Sequence, residues 1–300
     1  MTPRIDIGIA CSAHQTPNWW GGVFGALFQE IQRGTFYLGQ LIAVQSALPE
    51  FNKNHSAGGF FGSPDQKRRN DLTDANREVI TGTFLTGAES GAKADYIFWV
   101  DDDTVPPDGT ISQLLRLNQP FCAGLYFNTN APYNPIAYNR VEESGGYRHL
   151  WDYSPGSVMQ VDCVGMGCTL IHRSVYEKIL EEFVVFQRPT GSLFPIHKSL
   201  VWNDTDPTPN GTPKTYVKNG VLHMKLVEPE PENTRLFPFY VSEYGRTEDM
   251  HFCELAAQVG FRPWIDTTIV CEHWKHKCGT YDDYQREVVK REIPEKEGAE

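Results

Sequence analysis

Three consecutive carboxylates, Asp101-Asp102-Asp103, follow directly on five apolar residues, Tyr96-Ile97-Phe98-Trp99-Val100. A run of that length and composition reads as a strand buried on both faces, the kind found in the middle of a parallel sheet. The carboxylates then stand where the strand emerges at the sheet's C-terminal edge, the edge at which open α/β sheets bind ligands. Three packed acidic groups repel one another unless a cation or strong donors sit between them, and Mg2+ and Mn2+ prefer oxygen ligands. A solvated acidic turn before Pro106-Pro107 is the plainer alternative; the position directly after a buried strand favours the metal.

Two further positions could join that chemistry. Glu248-Asp249 follows Thr247, a good N-cap, and precedes Phe252, Leu255, Ala256 and Val259 at helical spacing, with Gly260 as a natural stop. The two acids therefore occupy a first helical turn, where the helix dipole favours them whether or not they act in catalysis. His273 lies just past the apolar run Thr268-Ile269-Val270-Cys271, so it too should emerge at a strand end. Cys271, His273, His276 and Cys278 also form a dense set of potential zinc ligands, but their spacing is tighter than that of ordinary structural zinc sites.

The elements that must position these groups alternate along the first two thirds of the chain. The residues Ile5–Cys11 predict a strand, and Leu38, Leu41, Ile42 and Gln45 predict a helix ending near Pro49. Beyond a Gly- and Phe-rich loop at 58–62, Leu72, Ala75, Val79 and Ile80 predict a second helix with Asn70 or Asp71 as its cap. A short helix carrying Ile111, Leu114 and Leu115 follows the acidic triplet, then strands at Phe121–Phe127 and Cys168–His172. The next helix turns Val175, Ile179, Leu180 and Phe183 inward. Residues 188–240 carry many prolines and polar turns with little periodicity, the mark of an irregular, lid-like insertion. One domain over 1–285 is expected, with a charged tail at 286–300.

Bulk properties narrow the function classes. The 300 residues are 40% hydrophobic and 12% aromatic, enough for a substantial core. No run of 18 apolar residues exists to span a membrane. The first residues enter a strand without the apolar core of a signal peptide, and seven scattered cysteines do not read as a disulfide framework, so a cytoplasmic location is expected. A net charge of −11 argues against broad attraction to nucleic acid or anionic membrane.

Taken in chain order, Ala94-Asp95-Tyr96-Ile97-Phe98-Trp99-Val100-Asp101-Asp102-Asp103, the Gly165-Met166-Gly167 strand entry, Glu248-Asp249-Met250-His251-Phe252-Cys253 and the late His273 resemble the GT-A fold glycosyltransferases, closest to the family 2-like nucleotide-sugar transferases. The likeness runs from Ile5 to about Trp274 and omits 188–240. It implies an α/β, Rossmann-like, mostly parallel central sheet flanked by helices. It also implies Mn2+ or Mg2+ and a nucleoside-diphosphate sugar donor, with UDP favoured.

The resemblance assigns roles position by position. Asp101 to Asp103 look like the DxD motif, with Asp103 on the metal, Asp101 on metal or ribose, and Asp102 a ribose or sugar contact. His273 resembles the late additional metal ligand. Asp249 resembles the base of inverting members, with Glu248 its substitute. Arg69 and Asn70 resemble residues near the nucleotide or diphosphate, and Gly165 and Gly167 resemble the loop that lets the donor sugar approach the backbone. Trp19-Trp20, Trp151 and Trp202 could stack on sugar rings.

Alternatives remain at this point. A sugar-phosphate nucleotidyltransferase would carry a Gly-rich basic signature after its first strand, which Cys11-Ser12-Ala13-His14-Gln15-Thr16-Pro17 is not. A catalytically silent carbohydrate- or nucleotide-binding domain would need none of the retained carboxylates. The acceptor is a carbohydrate or another hydroxyl-bearing molecule, selected by 188–240; a modified DNA base is less attractive given the charge. Oligomeric state is not readable.

Overall fold

The alternating residues from Arg4 form β1 (Arg4–Cys11), the strand on which the sheet is built. In the computed structural model the described residues are 2–11, 17–45, 77–87, 93–187, 193–200, 215–218, 221–227, 237–242, 246–274, 278–279 and 284–285. After β1 come α1 (Pro17–Gln32), β2 (Tyr37–Gln45), a helix α2 described over 77–86, β3 (Tyr96–Asp101), β4 (Thr104–Val105), α3 (Thr110–Arg116) and β5 (Phe121–Leu125). Then follow β6 (Ala137–Arg140), β7 (Tyr147–His149), β8 (Val158–Gln160), β9 (Cys163–Val164), β10 (Cys168–His172), α4 (Arg173–Glu182), β11 (Phe183–Gln187) and β12 (Leu193–His197). The chain continues through β13 (Thr215–Lys218), β14 (Val221–Val227), α5 (Glu248–Gln258), β15 (Trp264–Val270), β16 (Glu272–Trp274) and β17 (Cys278–Gly279).

Seven strands make the central sheet in the order β2-β1-β3-β10-β5-β15-β8. Strands β2, β1, β3, β5 and β15 share one direction, while β10 and the edge strand β8 run against them. The fold is thus a mixed α/β, Rossmann-like arrangement with a mostly parallel sheet. As expected for a strand covered on both sides, β3 divides its apolar residues between two cores. Ile97 and Trp99 pack with Ile80 and Phe84 of α2, Val175 and Ile179 of α4, and Phe252 and Leu255 of α5. Phe98 and Val100 pack with Val23 and Leu27 of α1 and Ile111 and Leu114 of α3. Helices therefore flank both faces.

Two side chains lock this layering. Arg173, at the head of α4, donates through Nε to the Ala94 carbonyl, through Nη1 to Leu85 and through Nη2 to Phe84, at 2.7, 3.1 and 2.6 Å. It thereby satisfies carbonyls near the end of α2 that have no partner within the helix. Glu30 of α1 accepts from the backbone N–H groups of Ile111 and Ser112 at the start of α3. The α3 N-terminus is thus capped from a different helix.

The residues Leu38, Leu41, Ile42 and Gln45 lie in a strand, not the expected helix. Their i, i+3, i+4 spacing arises from a bulge: Ile5 faces Leu38 but Ile7 faces Leu41, so two residues, Gly39 and Gln40, stand opposite Asp6. Asp6 fills the gap in the ladder by accepting from the Gln40 N–H at 2.8 Å. The region 188–240 is also more regular than expected. β11, β12, β13 and β14 form a second, antiparallel sheet in the order β12-β11-β14-β13. Helix α1 has no counterpart in the sequence reading; Pro17 sits at its first position, where a missing N–H costs nothing.

Candidate active site

Strand directions decide which residues can meet. β3, β5 and β15 point the same way, so Asp101-Asp102-Asp103, Tyr126-Phe127 and Cys271-Glu272-His273 all leave the sheet at one edge. β10 runs the other way, so its entry, Gly165-Met166-Gly167, reaches that edge too. Arg77, the first described residue of α2, and Glu248 and Asp249, in the first turn of α5, lie at the same place. Four of the sequence-predicted groups, spread over more than half the chain, thus converge.

His273 is carried to the triplet by a short strand pairing. β16 lies antiparallel to β4 with His273 opposite Thr104, and the Trp274 N–H donates to the Asp103 carbonyl at 2.6 Å. Its Nδ1 is 2.7 Å from the carbonyl oxygen of Phe127. A carbonyl only accepts, so Nδ1 carries the proton and Nε2 is left to face Asp103 Oδ2 at 3.2 Å. A proton or a metal cation must lie between two such acceptors. A backbone carbonyl on one imidazole nitrogen, with the other directed at a carboxylate, is the arrangement that orients metal-binding histidines. Among the described residues no group of three His, Cys, Asp or Glu is gathered as a metal site. The chemistry of the pair, an imidazole Nε2 beside a carboxylate, would suit a cation whose other ligands are substrate oxygens and water, the habit of Mg2+ at phosphate sites.

The acidic triplet divides by position. Asp101 and Asp103, two residues apart, have side chains 23% and 30% exposed, whereas Asp102 is buried in the turn between them. That burial disagrees with the ribose or sugar contact expected of Asp102, because an enclosed carboxylate presents little surface to a ligand. Asp101 Oδ1 accepts from Arg77 Nη2 at 2.8 Å, and the same nitrogen is 3.6 Å from Asp249 Oδ1.

Arg77 is the charged residue at this edge that sequence reading missed. Its side chain is fully buried, and its guanidinium lies 5.4 Å from the ring centre of Trp99 and 5.7 Å from that of Tyr240. Burial disfavours the cation, yet Asp101, Asp249 and Glu248 outweigh it and raise its pKa above the ordinary arginine value. The available signal was charge balance: a buried acidic edge needs a cation from the chain itself. Arg69 and Asn70, the basic and amide groups expected there, lie outside the described residues.

Asp249 is held in the first turn of α5, whose N-cap Thr247 accepts from the Met250 N–H at 3.4 Å. Burial pushes its carboxyl well above the usual carboxylate range; Glu248 and Asp101 add to the rise, while Arg77 and a hydrogen bond from the Met166 backbone oppose it. Its Oδ1 has no hydrogen-bond partner among the described residues. Glu248 accepts from Ser242 Oγ at 3.4 Å instead. Asp101 is likewise raised, chiefly by burial and against the pull of Arg77.

Gly165 and Gly167 are explained by Tyr126. A Cβ on Gly165 would overlap the Tyr126 hydroxyl and come within 2.6 Å of Ile136, and one on Gly167 would lie 2.7 Å from Thr104 Oγ1 and 2.9 Å from the Tyr126 ring. The buried Tyr126 hydroxyl accepts the Gly167 N–H at 3.1 Å, and its ring stands edge-on to His273 with centroids 5.4 Å apart. The glycines make room for this tyrosine beside the acidic edge. Of the other sequence-predicted groups, Cys271 is buried in the core with Cys168 rather than turned toward a zinc site. Trp151 stacks on Tyr284, their centroids 5.5 Å apart. His276 and Trp202 lie outside the described residues.

No protein-family model matches the chain, and no curated protein sequence aligns with it significantly. Among solved structures, it is similar to the crystal structure of A197 from STIV, at 12% identity and TM-score 0.41, over 91% of this chain and 86% of that one. It is also similar to the crystal structure of GalNAc-T7 with UDP, GalNAc and Mn2+, at 9% identity and TM-score 0.39, over 96% of this chain. This chain spans about half of GalNAc-T7, 48% of its length. The fold assignment rests on the strand order and directions given above. No helix among the described residues is long and apolar enough to cross a membrane.

Proposed function

We propose that this chain is a metal-dependent glycosyltransferase that moves a sugar from a nucleoside-diphosphate sugar to an acceptor hydroxyl, with inversion at the anomeric carbon. The observation that supports it most is the convergence on one sheet edge of an Asp103–His273 pair 3.2 Å apart and a half-buried Asp249 with a raised pKa. The resemblance of the Asp101–Asp103 and Glu248-Asp249 motifs to GT-A enzymes supports the same reading and favours UDP as the nucleotide.

Asp103 and His273 would hold the Mn2+ or Mg2+. When bound, the cation neutralises charge that grows on the departing phosphate oxygen. Asp249 takes the acceptor's proton as the acceptor oxygen bonds to the anomeric carbon and the bond to the diphosphate breaks. A carboxylate whose pKa is raised by burial suits that work, because once ionised it is a stronger base than an exposed aspartate. Arg77 limits the rise by placing positive charge beside it. The segment 188–240, with its antiparallel sheet, is the part of the chain that we assign to acceptor selection.

Thermal-shift measurements with a panel of nucleotide-sugars, with and without Mn2+, test the reading, followed by donor hydrolysis with the best ligand. Metal-dependent stabilisation and turnover are expected. Asp249→Asn should keep donor binding and lose transfer, whereas Asp103→Ala should lose the metal-dependent stabilisation itself. If no nucleotide-sugar stabilises the protein with Mn2+, the proposal is wrong; stabilisation without turnover would mark a silent binding domain.

A further inference from the structure

Arg77 raises a question of allocation. It is a fully buried cation whose Nε and Nη1 have no hydrogen-bond partner among the described residues. Among the described residues its one hydrogen-bonded carboxylate is Asp101, at 2.8 Å, because Asp249 at 3.6 Å is beyond hydrogen-bonding distance. The rings of Trp99 and Tyr240 enclose the guanidinium, so it cannot follow a moving partner outward. Were Asp101 to turn toward a cation between Asp103 and His273, a buried guanidinium would be stripped of its closest counter-charge, a heavily penalised state. The resemblance gave Asp101 either to the metal or to ribose; its environment here gives it to Arg77.

We infer that Arg77 is a positioning residue that withholds Asp101 from the cation. Of its described side chains the nucleotide-free protein then offers Mn2+ Asp103 and His273, and it binds the ion tightly when a nucleoside diphosphate supplies the missing oxygens. The inference rests on the glycosyltransferase reading for the identity of that diphosphate. A site completed by substrate keeps the cation weakly held between turnovers and couples its arrival to that of the donor.

Mn2+ binding to the purified full chain, followed by electron paramagnetic resonance of the free ion with and without UDP, reads this directly and needs no turnover. UDP should tighten Mn2+ by about tenfold or more in the wild type. Without nucleotide, Asp103→Asn should weaken Mn2+ by about tenfold or more, and Asp101→Asn should change it by less than about twofold. Arg77→Met should tighten nucleotide-free Mn2+ binding by about tenfold or more, since the released Asp101 adds a third carboxylate or imidazole ligand, and Arg77→Met/Asp101→Asn should cancel that gain. Loss of the Arg77 charge would by itself favour a nearby cation, but it would do so in the Asp101→Asn background as well, so equal tightening in both backgrounds would overturn the inference. Equal losses in Asp101→Asn and Asp103→Asn would overturn the inference, as would a folded Arg77→Met protein with unchanged or weaker affinity. If Arg77→Met does not fold, the Asp101→Asn and Asp103→Asn pair decides alone. A failure of UDP and other nucleoside diphosphates to couple to Mn2+ in the wild type would instead sink the glycosyltransferase reading. Coupling combined with equal Asp101 and Asp103 losses would leave that reading standing and remove only the role of Arg77.

Discussion

Replacing Gly165 with alanine should be among the most damaging single-methyl additions in this protein, and the structure allows its cost to be built up. The backbone at Gly165 cannot retreat: its N–H donates to the Ile136 carbonyl at 3.2 Å and its carbonyl accepts from Thr169 Oγ1 at 2.9 Å. The new methyl would overlap the Tyr126 hydroxyl and lie 2.6 Å from Ile136 Cγ2, so the tyrosine ring must move. Overpacking of a core of this kind costs about 1–3 kcal/mol. Moving the ring also breaks the bond from the Gly167 N–H and leaves a buried donor unmet, about 1–3 kcal/mol more. Urea denaturation of Gly165→Ala should therefore show a loss of about 2–6 kcal/mol. Tyr126→Phe alone should cost about 1–3 kcal/mol for the same lost bond. In the double variant that bond is lost only once and the worst overlap is gone, so the two losses should fall short of their sum by at least about 1 kcal/mol. Simple additivity would refute the idea that Gly165 exists to accommodate this hydroxyl.

Three other outcomes follow from side chains that bond to the backbone. Glu78 accepts the Tyr240 N–H at 2.8 Å, and burial raises its pKa well above the ordinary glutamate value. A carboxyl raised in the folded state contributes stability that is fully present below the unfolded pKa of about 4.5 and is lost as pH rises through the folded value. Unfolding free energy measured by urea at a series of pH values should therefore decline less steeply in Glu78→Gln than in the wild type; parallel curves would argue against it. Arg173→Met should lose about 3–5 kcal/mol in the same assay, because three carbonyls lose their donor, and a loss under about 1 kcal/mol would contradict the capping role. Thr247→Ala should cost about 0.5–2 kcal/mol through loss of the α5 cap, with Thr247→Ser near wild type; equal losses in both would show that the hydroxyl does not cap.

The legible parts of the sequence were those where one physical requirement acts alone. The run at Tyr96–Val100 could only be a doubly covered strand, and Thr247 with Gly260 bounded α5 correctly: the helix is capped by Thr247, and Gly260 has φ 92° just past its end. Elsewhere two requirements overlapped. In β2 an inserted residue turned a two-residue period into a helix-like spacing, and an edge strand with Tyr37, Leu38 and Leu41 exposed gives no clean inner face to read. The β13–β14 hairpin carried a usable signal: the β-favouring run Thr215–Lys218, then Asn219-Gly220, then alternating Leu222, Met224 and Leu226. Pro195 obscured β12, although proline is tolerated on an edge strand, and β12 is one. In the site, the carboxylates and His273 were visible because their types are chemically conspicuous. Arg77 was not, because an arginine in a helix reads as solvated until the packing that encloses it is known.

The reversed strand β10 has a consequence for how the protein is made. It alone joins β3 to β5, so the half-sheet β2-β1-β3 stands with an open edge until residues 168–172 have been synthesised and inserted. β5 then waits in turn for β15, 142 residues later in sequence by the Cys122–Trp264 pairing, with Asp249 and His273 arriving in that same last stretch. Chains cut short before residue 247 would possess the acidic triplet and Arg77 but neither the proposed base nor the histidine. A ribosome-stalled or clipped product would thus be both incomplete at a sheet edge and chemically inert, and the pairing partner it lacks is the very segment that completes the site.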